Sequence, residues 1–448
     1  MIGLTLYGPE VFDFASARRA VGLGGLIAVS LGRATARGVL ARSRRRGTIS
    51  AEMLAALPGT IERLGPAFIK FAQIASTRHD ALPPGVCRVL GQLHSTVTPA
   101  GTRAVRDAVS ASYGGRQQDV FRSIDDEAIG SGSIACVYRA VLVDGTPVAL
   151  KVRRPGIEHL VRRDVKLIQG VIDLIARLPT LRAVPLSEMG RAVGDAVIGQ
   201  LDFAAEATDL AVLGDSFTAL EAVTVPRVLT DQSRPDCLVM SLLDVQHGWV
   251  LDEISPRRRE LLARQTLQAV FDMLFRTGVV HCDLHPGNLV LIGGEGIGII
   301  DAGFVCRVPA HVRRQLALFF LNLGFRNGPA CAQAVVGSAA ALGADADLVG
   351  FEASMCEIVD RFGSVPARDF DLIAFSVELF GAQQRHGIYA SSEFVFPLLS
   401  LLMVEGLVRR LDPELDFQAL ARPVVYHVAA GRPVPVVGDR PRAAGAQR

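Results

Sequence analysis

The chain has 448 residues, of which 50% are hydrophobic and 21% are charged, and its formal net charge at pH 7 is +2. This composition is globular, and the small net charge argues against a nucleic-acid partner. The length favours two domains, and the seven scattered cysteines include no Cys-x-x-Cys pair, so neither a disulfide framework nor a zinc ribbon is expected. A reducing, cytoplasmic location is the simplest interpretation.

Residues 1–50 form a basic, partly apolar segment. It holds eight arginines against Glu10 and Asp13, and residues 20–32 are an uncharged, glycine-rich run that is too short to span a bilayer comfortably. Three interpretations stay open: a helix resting on a membrane surface, a plain solvated helix, and a secretory signal with residues 34–36 as its cleavage site. The first gives the expectation of a cytoplasmic protein that is peripheral at the membrane.

The periodicity then changes from helical to alternating. Residues 51–113 read as helices with a break at 82–84. From 124 to 153 the sequence alternates and is rich in β-branched residues, with Asp144-Gly145 as a hairpin turn. This pattern predicts a small antiparallel sheet that follows a helical extension.

Beyond the sheet the pattern is mainly helical. Helices are predicted over 157–178 and 186–220, two short apolar runs follow as strands, and a helix continues to about Thr277. The predicted fold is α+β and two-lobed, like a protein kinase, with the ligand site in the cleft. The expected boundaries are 1–50 for the basic segment, 51–115 for the helical extension, 116–244 for the sheet lobe with a helical insertion, 245–420 for the helical lobe and 421–448 for a flexible tail.

A glycine loop and a strand lysine indicate a phosphate site. The segment Gly130–Ser133 links two predicted strands, where backbone N–H groups can approach phosphate oxygens. Nineteen residues after Gly132, Lys151 lies on the third strand of the same sheet. The chain has 44 arginines and only three lysines, so a lysine retained here is consistent with a need for a compact ammonium group. Glu206 on the following helical stretch is its candidate partner, although both side chains could also be solvated surface residues.

The segment HCDLHPGN, residues 281–288, allows two interpretations. As a metal site, His281, Cys282 and His285 lack a fourth ligand at a recognisable spacing, and the Pro-Gly that follows suits a turn. As a phosphoryl-transfer loop, the segment contains D-x-x-x-x-N, and D-A-G follows thirteen residues later. The second interpretation explains more of these residue types, with the histidines as structural hydrogen-bonding groups.

Each polar residue of the phosphoryl-transfer interpretation has a chemical role. Asp283 can accept or orient the proton of an attacking hydroxyl group. Asn288 and Asp301 offer hard oxygen ligands to Mg²⁺ that bridges phosphates. The glycine loop, strand lysine, helix glutamate, D-x-x-x-x-N and D-x-G motifs occur in the order typical of protein kinases.

These residues and their surroundings resemble the UbiB family of atypical kinases, also called ABC1 or ADCK, from about Leu64 to Asp416. LGPAFIKFAQ is similar to the family's K-x-G-Q signature, with Lys70 and Gln73 as its polar ends. QLDFAAEA, which starts at Gln200, looks like the E-x-D motif with the lysine-pairing glutamate. VALKVRRPGI, HCDLHPGN, IIDAGFV and VEGLVRRLDPELD are similar to the strand-lysine segment, the catalytic and metal loops and the C-terminal helix.

The resemblance implies a protein-kinase-like fold whose helical extension covers the cleft, so that its lysine and glutamine enter the active site. It implies ATP or ADP and Mg²⁺ as cofactors, and ATP hydrolysis or small-molecule phosphorylation that supports isoprenoid-quinone or lipid metabolism at membranes. Expected partners are a membrane surface, a lipid or quinone-precursor molecule, and enzymes of those pathways. The predicted site consists of the catalytic Asp283, Lys151 and Glu206, the nucleotide-binding Gly130, Ser131, Gly132, Ser133, Ala149, Lys151 and Met240, the metal ligands Asn288 and Asp301, and the extension residues Lys70, Gln73, Gln200 and Asp202.

The sequence departs from the family pattern at several positions. Ala72 replaces the K-x-G-Q glycine, and Gln200 replaces the first acidic residue of E-x-D, where it can hydrogen-bond Lys70 but supplies no opposite charge. The nucleotide loop is glycine-serine rather than alanine-rich. These three changes predict a looser inhibitory extension and a more ordinary ATP site. Ala302 stands where kinases have the D-F-G phenylalanine, and Phe304 is the candidate to fill that place.

Two alternatives remain at this point. A small-molecule phosphotransferase of the aminoglycoside-modifying type carries a similar H-x-D-L-H-P-G-N loop but lacks the LGPAFIKFAQ extension. A nucleotide-binding pseudokinase would act as a scaffold, which the departures at Gln200 and Ala302 leave open, whereas the retained metal ligands argue against it.

Overall fold

The computed structural model describes residues 51–76, 85, 89–90, 102–177, 185–246, 254–284, 287–293, 296–363 and 370–432. The basic segment 1–50, the helix break expected at 82–84, and His285 lie outside the described residues.

The helices of the described part, in chain order, are α1 Ala51–Leu64, α2 Pro66–Ala75, α3 Thr102–Ser112, α4 Ile157–Ile175, α5 Leu186–Gly199, α6 Phe203–Ser216, α7 Pro256–Phe271, α8 Ala310–Gly324, α9 Gly328–Gly337, α10 Leu348–Phe362, α11 Leu372–Arg385, α12 Ser392–Leu411 and α13 Phe417–Ala429. The strands are β1 Phe121–Ser131, β2 Ala135–Leu142, β3 Pro147–Arg153, β4 Val223–Thr224, β5 Cys237–Ser241, β6 Val245–Gln246, β7 Val279–His281, β8 Leu289–Ile292, β9 Gly296–Ile299, β10 Val305–Arg307, β11 Ala339–Leu342 and β12 Ile388–Ala390.

The smaller lobe is built on an antiparallel sheet with strand order β1-β2-β3-β5. Alternation along β3 gives its two faces different neighbours. Val148, Leu150 and Val152 pack in a cluster with residues of α3, whereas Ala149 belongs to the core that includes α6. Lys151 has the same parity as Ala149 and therefore points toward α6. The predicted small antiparallel sheet is confirmed.

The helical extension packs beside this lobe. Gly65 has φ 115°, which favours glycine, and it separates α1 from α2. Helix α2 packs against α4 and α5, and its buried side includes Ala67, Ile69 and Ala72. The methyl group of Ala72, which replaces the family's glycine, packs in a small cluster with Ile69 and Leu90. The extra methyl group is thus accommodated in the helix interface.

The prediction of one continuous helix over 186–220 is wrong. The structure divides it into α5 and α6, because α5 ends at Gly199 and Asp202 begins a new helix as its N-cap. The Asp202 carboxylate accepts hydrogen bonds from the N–H groups of Ala204 and Ala205, both at 3.0 Å. The break places Glu206 in the first turn of the new helix.

The larger lobe is mainly helical, as predicted, with short strands near the cleft. A six-residue π-helical segment, Asp272–Thr277, connects α7 to β7. Strands β4, β9, β8 and β6 form a second sheet, and β7 pairs with β10. The expected boundary at 420 falls inside α13, which continues to Ala429 because its apolar side packs on the core through Val425. The predicted start of the flexible tail, at residue 421, is therefore too early, because residues 421–429 are helical.

None of the helices in the described ranges is both long enough and apolar enough to cross a bilayer. Helix α12 has 20 residues but carries charged side chains near its C-terminus, including Arg409 and Arg410.

Candidate active site

Lys151 is the centre of a buried group of charges. Its Nζ lies 2.6 Å from Glu206 Oε1 and 2.6 Å from Asp301 Oδ2. The side chain of Lys151 is 9% exposed and that of Glu206 is 1% exposed, so both charges are largely removed from water. One ammonium group thereby connects the sheet, α6 and the D-A-G loop through two charge-assisted hydrogen bonds.

These three charges shift one another's pKa values. Burial lowers the pKa of Lys151, but the Asp301 and Glu206 carboxylates outweigh burial and raise it. Burial raises the pKa of Asp301, yet Lys151 and the N–H of Gly303 bring it well below its usual range. For Glu206, burial is the largest effect and, together with the charge of Asp301, it overcomes Lys151 and raises the pKa to about 7. Asp301 is therefore the firmly ionised carboxylate of the pair.

Glu206 should give the stability of the protein a pH dependence. Its pKa is about 7 in the folded protein and 4.5 in its ordinary state, so between these values the folded protein binds the proton more tightly. The resulting stabilisation is complete below about pH 4.5 and is lost as the pH rises through 7. We expect the free energy of unfolding of the wild type, measured in urea relative to Glu206→Gln, to fall over this range. A difference between the two proteins that does not vary with pH contradicts this assignment.

His281 joins the catalytic loop to the D-A-G loop. The N–H of Asp283 donates to His281 Nδ1 at 3.1 Å, so this nitrogen is an acceptor. Its Nε2 then carries the proton and donates to the carbonyl of Asp301 at 2.5 Å. Ser400 Oγ of α12 donates to the carbonyl of His281 at 2.6 Å. This fully buried histidine fixes Asp283 relative to Asp301, in agreement with a structural role.

Asn288 closes the catalytic loop on itself. Its Nδ2 donates to the carbonyl of Asp283 at 2.9 Å, and its own carbonyl accepts from the N–H of Ile300 at 3.0 Å. These bonds leave the side-chain amide oxygen of Asn288 as an acceptor near the D-A-G loop. The D-x-x-x-x-N spacing therefore places a carboxylate and an amide at the same cavity.

Arg154 holds the glycine loop against the sheet. Its Nε donates to the carbonyl of Gly132 at 2.9 Å, and a terminal nitrogen donates to Ser131 Oγ at 2.9 Å. The N–H of Gly132 donates to the carbonyl of Ala135, which closes the turn. Ser133 is 1% exposed, lines the cavity, and its hydroxyl has no hydrogen-bond partner in the described part of the chain. A buried hydroxyl without a partner is costly unless a ligand satisfies it.

Lys70 of α2 reaches into the same cavity. Its Nζ lies 3.4 Å from Asp283 Oδ2, and the two side chains are 14% and 25% exposed. The possible hydrogen bond from Lys70 to Gln200 is not formed, and Gln200 Nε2 has no partner within the described ranges. Lys70 prefers Asp283 because a carboxylate carries the opposite charge that the amide lacks. The extension thus places an ammonium group against the carboxylate of Asp283.

The cavity has a volume of about 260 Å³. This is slightly below the roughly 300–1,000 Å³ of small-molecule sites, so a nucleotide requires some opening of the cleft. The predicted residues that line it are Lys70, Gly130, Ser131, Gly132, Ser133, Lys151, Gln200, Asp283, Asn288 and Asp301. Glu206 lies behind Lys151 and acts on the cavity through it.

Besides Glu206, four predicted residues do not line the cavity. Ala149 and Met240 are buried cross-strand partners in β3 and β5, where they pack in the core. Asp202 is exposed and caps α6, so it positions the helix that carries Glu206. Gln73 lies on α2 and accepts, through its carbonyl, a hydrogen bond from Ser76 at 2.6 Å. Their assignment as nucleotide-binding residues (Ala149, Met240) and extension residues (Gln73, Asp202) therefore stays a prediction.

Other residues line the cavity without having been predicted. Ala135 and Val137 face it from β2 at alternate positions, and Ile300 and Phe304 face it from the D-A-G loop. Because side chains alternate between the two faces of a strand, continuing the pattern from the glycine loop into β2 would have identified Ala135 and Val137. Phe304 packs edge-to-face on Phe396 of α12, with ring centroids 5.3 Å apart, so it connects the loop to the larger lobe.

The donor set fits Mg²⁺ that is shared with phosphates. Asp301, Asn288 and Asp283 line one cavity and offer hard oxygen atoms. Within the described ranges, no group of three or more His, Cys, Asp or Glu side chains is arranged to hold a metal ion unaided. Magnesium usually takes one or two carboxylates and completes its shell with water and phosphate oxygens. These side chains are therefore suited to bind a metal ion that the phosphates of a nucleotide also coordinate.

A sheet lobe, a helical lobe, a strand lysine paired with a helix glutamate, and the two acidic loops define a protein-kinase-like protein. The description "ABC1 atypical kinase-like domain" belongs to the family model that matches residues 92–335. This match covers more than half of the chain, and the chain belongs to the ABC1, or UbiB, family of atypical kinases.

Curated relatives agree with this assignment. A protein of Aeromonas hydrophila named "Probable protein kinase UbiB" is 31% identical over 377 residues, which cover 81% of this chain and 68% of the relative. A protein of the same name from Azotobacter vinelandii is 28% identical over 373 residues, covering 81% and 69%.

A solved structure supports the fold alone. It is described as "The complex structure of Rv3197-erythromycin from Mycobacterium tuberculosis" and superimposes with a TM-score of 0.55 at 19% identity. The superposition covers 83% of this chain and 95% of the other. The predicted two-lobed, protein-kinase-like α+β fold is confirmed.

Proposed function

We propose that the protein binds MgATP in the cleft between its lobes and transfers or hydrolyses the γ-phosphate. The observation that carries the proposal is the position of Lys151, whose ammonium group is held at 2.6 Å by Glu206 and Asp301 at the edge of the glycine-loop cavity. A buried lysine between two carboxylates is oriented and stays charged. It is therefore oriented to contact phosphate oxygens, and Asp301 would hold the metal ion that accompanies them.

Two further side chains, one from the glycine loop and one that follows α5, offer donors for phosphate oxygens. Ser133 Oγ and Gln200 Nε2 both lie at the cavity without a hydrogen-bond partner in the described part of the chain. A polyphosphate would accept from both groups. Arg154 keeps the loop in place through its bonds to Gly132 and Ser131, and so it is a positioning residue.

Asp283 is the proposed acceptor or orienter of the proton from the attacking hydroxyl group, which belongs to a small molecule or to water. Asn288 and Asp301 are the residues that would hold the metal. When bound, Mg²⁺ neutralises charge that develops on the phosphates. His281 keeps the two loops in register through its two hydrogen bonds.

A phosphate-release assay tests the proposal. The full chain is incubated with ATP and Mg²⁺, with and without liposomes and phenolic quinone precursors. We expect Mg²⁺-dependent phosphate release or a phosphorylated phenol. Saturable nucleotide binding without turnover under any of these conditions would instead support a pseudokinase scaffold.

The larger setting is also part of the proposal: the protein supports isoprenoid-quinone or lipid metabolism from a membrane surface. The relatives named UbiB and the eight arginines of residues 1–50 favour it. The liposome arm of the assay addresses the membrane, and the phenol arm addresses the acceptor. An aminoglycoside-type acceptor is disfavoured by the described extension, which places Lys70 in the cavity and adds positive charge where a cationic substrate would bind.

Removing Lys70 should increase turnover. In Lys70→Ala the Asp283 carboxylate loses its ion pair and the cavity gains volume, so kcat for ATP should rise by about 10-fold. Lys70→Met keeps most of the side-chain volume but removes the charge. Comparing the two variants therefore separates the effect of the lost ion pair from the effect of the larger cavity. A preference for ADP over ATP, with no phosphate transfer in either variant, contradicts a merely obstructive role for Lys70.

A further inference from the structure

The helical lobe contains a second cavity, of about 290 Å³, which shares no lining residue with the nucleotide cleft. It lies between α7, the π-helical segment, α8, α11, α12 and α13. Its walls are mostly apolar and include Phe271, Phe275, Phe320, Leu401 and Val425. This volume is about twice the ~150 Å³ of an engineered apolar cavity that binds benzene, so it suits a ligand with about twelve carbon atoms.

Polar side chains occupy the open part of this cavity. Arg409 of α12 and Gln418 and Arg422 of α13 line it, and the last two are four residues apart on one side of α13. Arg422 is exposed and forms no ion pair within the described ranges. The charge of the buried Glu405 is offset by Arg409, whose Nε lies 2.8 Å from Glu405 Oε1. Arg409 and Arg422 against Glu405 give the polar lining of this rim a net positive charge, and Glu405 Oε2 is an acceptor without a hydrogen-bond partner in the described part of the chain.

The rim also carries an apolar side chain that the fold leaves in water. Phe325 directly follows α8, lines the cavity and is 74% exposed. Covering this ring with a ligand would be favourable because it removes apolar surface from water. The ligand that fits this cavity is amphipathic. Its apolar part would pack in the pocket and against Phe325, and its anionic head group would lie at the positively charged rim.

We propose that this cavity binds a medium-chain fatty acid, with the acyl chain among the phenylalanine and leucine side chains and the carboxylate at Arg422 and Gln418. The site is separate from the nucleotide cleft, and ligand binding there does not depend on the proposed ATP chemistry. Neither the family model nor the names of the relatives assign a ligand to this part of the fold.

The cavity is connected to the catalytic loop by two of its walls. Leu401 lines it, and the preceding Ser400 donates to the carbonyl of His281 at 2.6 Å. Phe275 lies on the π-helical segment that leads directly into β7 and His281. An acyl chain that packs against Leu401 and Phe275 restrains both supports of the loop that carries Asp283. Occupancy of the cavity should therefore slow local opening of this loop.

Isothermal titration calorimetry of the full chain with laurate, below its micelle concentration, tests the binding site. We expect one saturable site per chain. Ala421→Phe fills the cavity and should weaken binding by at least about 10-fold, whereas Ala419→Phe places the same ring on the exposed side of α13 and should leave affinity unchanged. Absence of saturable binding, or equal affinity of Ala421→Phe and the wild type, overturns the proposal.

The head group is tested by charge. Arg422→Glu is an exposed substitution that leaves the core intact, and it should weaken laurate by at least about 10-fold while it strengthens dodecyltrimethylammonium. Equal binding of both amphiphiles by the wild type rejects the assignment of an anionic ligand. Hydrogen exchange of residues 279–284, without nucleotide, tests the connection to the catalytic loop. Laurate should slow it in the wild type but not in Ser400→Ala, and unchanged exchange in the wild type rejects the connection.

Discussion

Replacing Lys151 with methionine should reduce phosphate release by about 1,000-fold and lower the free energy of unfolding by about 3 kcal/mol. Turnover falls because the cleft loses the cation that contacts the phosphates. Stability falls because Glu206 and Asp301 keep a buried site without the ammonium that satisfies both. Steady-state phosphate release and urea unfolding measure the two effects on one preparation.

Two variants make the Lys151 result specific. Lys166→Met changes the same residue type at an exposed position on α4 and should affect neither measurement. Lys151→Arg retains the charge, but its planar fork replaces a compact donor that is 2.6 Å from two carboxylates, so turnover should not recover. Full activity in Lys151→Met would mean that the phosphate release comes from another site or from a contaminant.

Replacing Asp301 with asparagine should abolish Mg²⁺-dependent phosphate release, with a loss of about 1,000-fold, and leave the fold intact. The amide can still accept from the N–H of Gly303, a bond of 2.7 Å in the wild type, so the loop keeps its shape. The amide offers a single neutral oxygen to a metal ion. The substitution removes the negative charge that raises the pKa of Glu206 and leaves the ammonium group of Lys151 that lowers it. The pKa of Glu206 should therefore fall.

The matched variant for this experiment is Asp345→Asn, which removes a carboxylate from an exposed position between β11 and α10. Its turnover should equal that of the wild type. If Asp301→Asn releases phosphate as fast as Asp345→Asn, the D-A-G loop does not hold the metal, and the activity belongs elsewhere.

The sequence predicted most of the site because spacing constrains which side chains can meet. Strand alternation places Lys151 on the face opposite Leu150, and a helix after the sheet can pack only on that face. The loop with Asp283 and Asn288 leads from β7 to β8, and the loop with Asp301 leads from β9 to β10. Because β8 pairs with β9 and β7 pairs with β10, the two loops lie side by side at the cleft. Local patterns of this kind are read directly from residue types.

Other features depended on contacts between distant segments. The sequence does not predict the break after α5 because 186–220 keeps an apolar helical pattern, and only the capping bonds of Asp202 reveal where the second helix begins. Lys70 pairs with Asp283, which lies 213 residues further along the chain, and no spacing rule indicates which carboxylate or amide it will select.

The sequence also did not indicate which residues of the predicted strands and loops line the cavity and which are buried in the core. Ala149 and Met240 belong to the right strands, yet both lie in the core, whereas Ile300 and Phe304 reach the cavity from a loop whose course the sequence leaves open. The second cavity was not predicted, because its walls come from six elements. An apolar helix pattern predicts burial but does not indicate where packing leaves space.

The most direct measurement is a calorimetric titration of MgATP into the full chain, compared with the Lys151→Met variant. If Lys151, Asp283, Asn288 and Asp301 converge on one nucleotide, we expect a single saturable site per chain that is abolished by EDTA and weakened at least about 10-fold by the substitution. No heat of binding, or the same affinity in both proteins with and without Mg²⁺, would contradict a nucleotide site in this cleft.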